Sequence, residues 1–139
     1  MEKKINPLDF DNNAFIGLKL PLFYSDNQSF NMNMVTVDHV KTKLKNLIFT
    51  QEGERVMNPT FGCDFNKVLF EQETGDNMVF YIESHIKDKI KTWIPEVEVQ
   101  EVKINVDLYT QHAINVLIIY KIIYEPDTKE NLSFTINMN

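Results

Sequence analysis

The chain has 139 residues, 20 Asp and Glu against 14 Lys and Arg, and a net charge of −6, which bound it to one acidic domain able to bury its apolar surface without disulfides. That balance argues against nucleic acid or an anionic membrane as the main partner, and a single cysteine, Cys63, excludes an internal disulfide. No charged-then-apolar leader stands at the N-terminus and no apolar run is long enough for a bilayer, so the protein is expected to act without crossing a membrane by itself.

Residues 1–13 are polar, carry Pro7 and Asn12-Asn13, and predict a loosely held arm. Ala14 to Tyr24 is apolar but interrupted by Pro21, which suits an edge strand or an extended segment over the core. Ser25-Asp26-Asn27 supplies turn chemistry, and Phe30 to Met34 alternates apolar and polar residues as a strand does.

Val37, Val40, Leu44, Leu47 and Ile48 recur at helical spacing, so a helix is expected over Val37 to Phe49 with Thr36 as N-cap and Gly53 closing its end. The stretch Thr50 to Gly62 that follows is read as an ordered loop, its path fixed by Pro59 and Gly62 and anchored by Phe61 and Phe65. It holds the only arginine. Lysine is a flexible point charge, whereas the planar fork of Arg55 can hold a carboxylate, backbone carbonyls or a partner in fixed geometry. A structural ion pair or a helix-end contact is the plainer alternative for Arg55. Cys63, beside Gly62, is expected to be a small buried filler.

A short helical turn over Asn66 to Glu71 and a second long helix over Asp76 to Trp93 come next, the latter with Met78, Ile82, Ile86 and Ile90 on one side, Asp76 as N-cap and Pro95 as its stop. Lysines 41, 43, 45 and 87, 89, 91 mark the solvated faces of the two helices. Beyond Pro95 the period becomes that of strands. Val97 and Val99 face one way and Val102, Ile104 and Val106 the other, which implies a bulge or a short break near Gln100. Ala113 to Tyr124 is apolar on both faces and predicts a strand that is central or covered on both sides. Glu125-Pro126-Asp127 is expected to turn the chain into a half-buried last strand, Leu132 to Met138.

The fold class is therefore α+β: two long helices packed on a three-stranded antiparallel C-terminal sheet, with an N-terminal extended segment, in one domain over residues 1–139. A 1-2-3 strand order leaves Leu132 to Met138 at an edge without the lysine, proline or bulge that usually guards one. That edge would either accept a partner's strand or be covered by the N-terminal segment.

Thr50, Gly53-Glu54-Arg55, Pro59, Phe61-Gly62 and Leu69-Phe70-Glu71 resemble the motif of the baseplate wedge and sheath initiator family of contractile-tailed bacteriophages, to which a component of bacterial type VI secretion baseplates is related. The resemblance runs more loosely over most of the chain. Where the family often has Glu-Pro-Arg after the second helix, this chain has Ile94-Pro95-Glu96 and lacks the arginine. The resemblance implies a structural component of the virion tail baseplate, assembled in the bacterial host cytoplasm, that binds wedge core proteins and templates the tail sheath by strand exchange. Its partners would be the sheath protein and the wedge core, with the tail tube or hub beyond them, and neither nucleic acid nor membrane. On that reading Thr50, Gly53, Glu54, Arg55, Pro59, Phe61, Gly62, Pro95 and Glu96 face the wedge or order the domain, and Leu132, Ser133, Phe134, Thr135, Ile136, Asn137 and Met138 face the sheath.

The equivalent part of a bacterial injection or type VI system is the alternative. A third reading is a peptidoglycan-cleaving enzyme, since family members have been called lysozymes. Glycosidases need two carboxylates with different protonation, and Glu52, Glu54, Asp64 and Glu71 offer the type without the spacing. Glu54 beside Arg55 is expected to stay ionised, the wrong state for a general acid. His39, His85 and His112 are far apart with no ligand spacing, so no metal or other cofactor is expected.

Overall fold

The five apolar positions spaced for a helix between Val37 and Ile48 are all buried on α1, Thr36–Phe49, in the computed structural model, which describes residues 6–24, 29–65, 76–107 and 113–137. The cap of α1 comes from far away in sequence. Thr36, expected as the N-cap, is the first helical residue. Its backbone N–H and its hydroxyl donate to Oδ1 of Asp9 at 2.9 and 2.8 Å. A carboxylate at a helix N-terminus satisfies an orphan donor and meets the positive end of the dipole.

Asp9 is only 3% exposed and is presented by a 3-10 turn, Pro7–Phe10, in which Asn6 and Asp9 cap each other's backbone N–H groups. The described part of the expected arm, residues 6–13, is thus tied to α1 through Asp9, while residues 1–5 lie outside the described residues.

The N-terminal segment supplies two short strands, β1 (Gly17–Leu18) and β2 (Met32–Asn33), paired antiparallel in a sheet of their own, shorter than the alternation of Phe30 to Met34 suggested. The turn expected at Ser25-Asp26-Asn27 lies outside the described residues. This sheet sits on α1. The buried Asn33 amide donates to the Leu18 carbonyl at 3.0 Å and to Thr42 Oγ1 at 3.1 Å, and a Cβ on Gly17 would come within 2.5 Å of the His39 ring.

Met78, Ile82, Ile86 and Ile90 form the buried stripe of α2, Asp76–Trp93. The Ile94 N–H still reaches the Ile90 carbonyl at 2.8 Å, after which Pro95 has no N–H to give. The turn expected over Asn66 to Glu71 falls outside the described residues, as do Leu69, Phe70 and Glu71 of the motif.

Three antiparallel strands follow in the order β3 (Val97–Asp107), β4 (Ala113–Ile122) and β5 (Glu125–Asn137), so the fold is α+β with β4 central. The register shifts between Val99 and Glu101, so a bulge makes the change of side. Ile114, Val116, Ile118, Tyr120 and Ile122 of β4 join the buried residues of both helices in one cluster. Of the two expected arrangements β4 takes the central one without cover on its other face, where Leu117 and Ile119 stay half-exposed and Ile123 is exposed. Opposite them stand Lys103 and Ser133, and Glu101 and Asn131, so this face is an ordinary mixed surface and one layer of helices suffices.

The hairpin turn is at Ile123-Tyr124, two residues before the expected Glu125-Pro126-Asp127, which instead lie within β5 where the register shifts at Lys121/Ile122. A strand bulge absorbs the proline. The helix lysines do more than solvate: Lys41 pairs with Glu130 of β5 at 2.9 Å and Lys43 with Glu96 at 2.6 Å.

Candidate functional site: the motif loop and the β5 edge

The loop after α1 is closed at its neck. Cys63 donates its N–H to the Thr50 carbonyl at 2.9 Å, and Gly62, at φ +114°, lies so near that a Cβ would fall 2.3 Å from that oxygen. Only glycine fits there. Gly53, expected to end the helix, stands beyond Thr50, where α1 has already closed on Asn46. Its φ of +90° turns the loop, and its N–H donates to the Pro59 carbonyl at 2.8 Å. The Glu54 carboxylate accepts the Gln51 N–H at 3.0 Å.

Arg55 does not use its fork on Glu54; the guanidinium lies 3.7 Å over the Phe61 ring, which meets Trp93 of α2 edge-on at 5.3 Å. Such a stack contributes about 0.5–1 kcal/mol at an exposed site. Lys89 of α2 pairs with Glu52 and donates to the Thr60 carbonyl at 3.2 Å. The loop is therefore braced against α2 from both sides, yet its tip, Val56 and Met57, is 92% and 96% exposed. Nothing in the sequence distinguished these two from core residues.

Pro95 and Glu96 follow Trp93, at the end of α2 that the loop packs against. Burial disfavours charge on Glu96, but the Lys43 ammonium and its own backbone N–H hold the carboxyl below the usual carboxylate range. Glu96 thus joins α1 to the start of β3. Burial, helped by Lys43, lowers the pKa of His39, and burial with Lys89 lowers that of His85. Burial pushes the Cys63 thiol up to about 12, which suits an inert filler. Among the described residues no group of three His, Cys, Asp or Glu could hold a metal, and no helix is long and apolar enough to cross a membrane.

Among the described residues β5 pairs with β4 alone, so its outer edge is open. Leu132, Phe134 and Ile136 face the core opposite Ile118, Val116 and Ile114; Ser133 and Thr135 face outward, and Thr135 Oγ1 donates to Asn115 Oδ1 at 2.7 Å. Residues 131–137 carry no charge, whereas the opposite edge, β3, has Glu98, Glu101, Lys103 and the bulge. Only the second half of β5 is thus unguarded, since its first half holds Pro126, Lys129, Glu130 and a register shift. Asn137 ends β5, and Met138 lies outside the described residues.

The motif loop and the β5 edge are not separate sites. Between them lies an open groove of about 280 Å³, with Ile48, Phe49, Cys63, Phe65 and Ile136 as its apolar walls and Gln51, Glu54 and Thr135 at its rim. Sequence spacing could not show it, because it joins positions more than eighty residues apart.

The family model described as baseplate wedge protein gp25 matches residues 35–127, from the start of α1 through the hairpin turn. The chain belongs to the gp25 baseplate wedge family. Baseplate wedge protein gp25 of Enterobacteria phage T4 is 28% identical over 96 residues, which cover 67% of this chain and 69% of the relative. Two solved structures share the fold of the family member described here. A chain of the anti-feeding prophage baseplate superposes with a TM-score of 0.67 at 23% identity, over 76% of this chain and 83% of that one. A Geobacter sulfurreducens protein described as a tail lysozyme superposes with a TM-score of 0.66 at 22% identity, over 74% of this chain and 91% of that one. The matched interval stops short of residues 131–137, so the unguarded half of β5 lies outside the family match.

Proposed function

We propose that this baseplate wedge family member is a structural part of a contractile phage tail baseplate that starts the tail sheath by accepting a sheath strand on β5. The observation that carries the reading is the edge formed by residues 131–137, paired on one side only among the described residues and free of charge. A strand laid there would gain a row of main-chain hydrogen bonds, and Leu132, Phe134 and Ile136, packed into the core, would fix its register. Sheath subunits that add head to tail without closing make a tube, and a tube needs a first surface.

The motif loop is the wedge-facing part of the same reading. Its support is the exposed Val56-Met57 tip on a loop held at its neck and against α2. Pro95 and Glu96 connect the end of α2, whose Trp93 meets Phe61 of the loop, to β3. Likeness in fold to the anti-feeding prophage chain favours, as second reading, the same role in a bacterial injection device.

An enzyme is disfavoured by what two of the four candidate carboxylates do. Glu52 is paired with Lys89 and Glu54 holds the Gln51 N–H, so both carboxylates serve the loop. Glu71 lies outside the described residues. Clearing of a peptidoglycan suspension by the wild type but not by Glu54→Gln would overturn the structural reading.

The strand reading is tested with Asn131→Lys/Ser133→Lys, both exposed positions, which guard the edge without touching the core. Capture of the tail sheath protein of the same particle should be lost while thermal unfolding is unchanged; undiminished capture refutes strand addition.

A further inference from the structure

The groove between the motif loop and β5 lies where a strand added to that edge would need room. α1 ends at Phe49, and the chain then turns into the loop, so the groove opens beside Ile136, which is half-buried like Phe134. In a strand paired with β5, alternate side chains point to the core side of the sheet, about 4.5–5.5 Å from their neighbours on β5. The one beside Ile136 would enter the groove. Its walls there are Ile48, Cys63 and Phe65, all buried and apolar, and its volume of about 280 Å³ is open to solvent. The rim is acidic: Glu54 is exposed and its carboxylate already oriented by the Gln51 N–H at 3.0 Å.

Resting on the strand-addition reading above, we propose that this groove is the specificity pocket for the added strand. It takes one large apolar side chain beside Ile136, with a basic residue two positions along on the same face to meet Glu54. The occupant is thus a segment of the sheath protein with an apolar-x-basic pattern. The motif loop contributes to strand capture through the pocket that it walls, in addition to facing the wedge. Its closure by Gly62 and Cys63 sets the pocket's shape.

The test measures binding of the tail sheath protein of the same particle to the full chain and to three variants at low and high salt. Gln51→Trp closes the pocket mouth from an exposed position, and Glu54→Gln removes the charge while leaving an oxygen for the Gln51 N–H. The third is the edge variant Asn131→Lys/Ser133→Lys. An apolar group shut out of a pocket is worth roughly 10–200-fold, so Gln51→Trp should weaken binding by about tenfold or more. Glu54→Gln should slow association severalfold at low salt and little at high salt. Loss of binding in the edge variant with wild-type binding by both pocket variants overturns the pocket and leaves strand addition standing. Wild-type binding by the edge variant overturns both. A loss confined to Gln51→Trp overturns the basic neighbour. Loss of dimerisation in Gln51→Trp, with sheath binding intact, would give the pocket to a second copy of this chain and overturn the sheath as occupant.

Discussion

Phe49, the last residue of α1, meets Phe134 of β5 edge-on, with ring centroids 5.7 Å apart. Phe65, just past the motif loop, adds a tilted contact to the same ring at 6.5 Å. One aromatic side chain on the edge strand is thereby gripped by the elements on both sides of the loop. Phe134→Ala should cost about 2 kcal/mol, below the 3–5 kcal/mol typical of a fully buried phenylalanine because this one is half-exposed. Phe49→Ala, at a residue 61% exposed, should cost less than half as much. Urea unfolding of the two variants measures the order, and equal costs would mean that the contact does not hold the strand.

What could be read in advance was whatever repeats locally. The buried stripes of α1 and α2 and the bulge near Gln100 follow from spacing within one segment, and the central place of β4 from strands that follow one another through short turns. The misses are long-range. Thr36 looked like a cap because nothing nearby competed, and the true cap, Asp9, comes from 27 residues away. Its own signal was legible, since Asn6-Pro7 followed by Asp9 is a capping box, but not which helix it would serve. Arg55 was read for its fork of donors and is used for its face, because Phe61 folds back beneath it. The groove needed the loop and β5 side by side, which only the sheet order settles.

Removing the remote cap gives a direct measure of how firmly the N-terminal turn is bound. Asp9→Ala deletes two accepted hydrogen bonds at the start of α1 and should lower stability by about 1–2 kcal/mol, the usual value of an N-cap side chain. Asp9→Asn keeps an acceptor and should cost less. Thr36→Ala removes the hydroxyl bond alone and should fall between wild type and Asp9→Ala. Thermal melts of the three variants check the order, and no loss with Asp9→Ala would mean that water replaces the cap at no cost.

Acidification should weaken the fold before its carboxylates titrate. His39 and His85 both have pKa values below the ordinary histidine value of about 6.5, so the unfolded chain binds more protons than the native one as pH falls through about that value. Stability therefore drops from near pH 6.5 downward and levels off below the native values. Around His39 stand Lys43, which opposes its protonation, and Glu96, which favours it; around His85 stand Lys89 on one side and Glu52, Asp64 and Asp88 on the other. Glu96, held low, adds a second loss that begins below its unfolded value of about 4.5 and is complete under its native value. Denaturant midpoints between pH 7 and 5 should fall in the wild type and fall less in His39→Gln and in His85→Gln. Parallel slopes in all three proteins would show that neither histidine is the cause.

Gly62 and Gly53 share a left-handed backbone but should not tolerate alanine equally. At Gly53 a Cβ meets nothing within 4 Å, so Gly53→Ala costs only the backbone penalty, about 1 kcal/mol. At Gly62 the same penalty is joined by a clash, because the new carbon would fall 2.3 Å from the Thr50 carbonyl oxygen, which already accepts the Cys63 N–H. Backbone cannot yield there without opening the neck of the loop. Gly62→Ala should therefore lose roughly 2–4 kcal/mol, the strain of one disallowed residue plus a buried hydrogen bond. The damage should be local as well as global. Amide exchange at Cys63 should quicken far more than at Ile82 or Ile86 in the middle of α2, and exchange at Gly53, whose N–H depends on Pro59 across the same loop, should quicken with it. Uniform quickening along the chain would mean that the neck is no separate unit and that the loop opens only when the whole fold does.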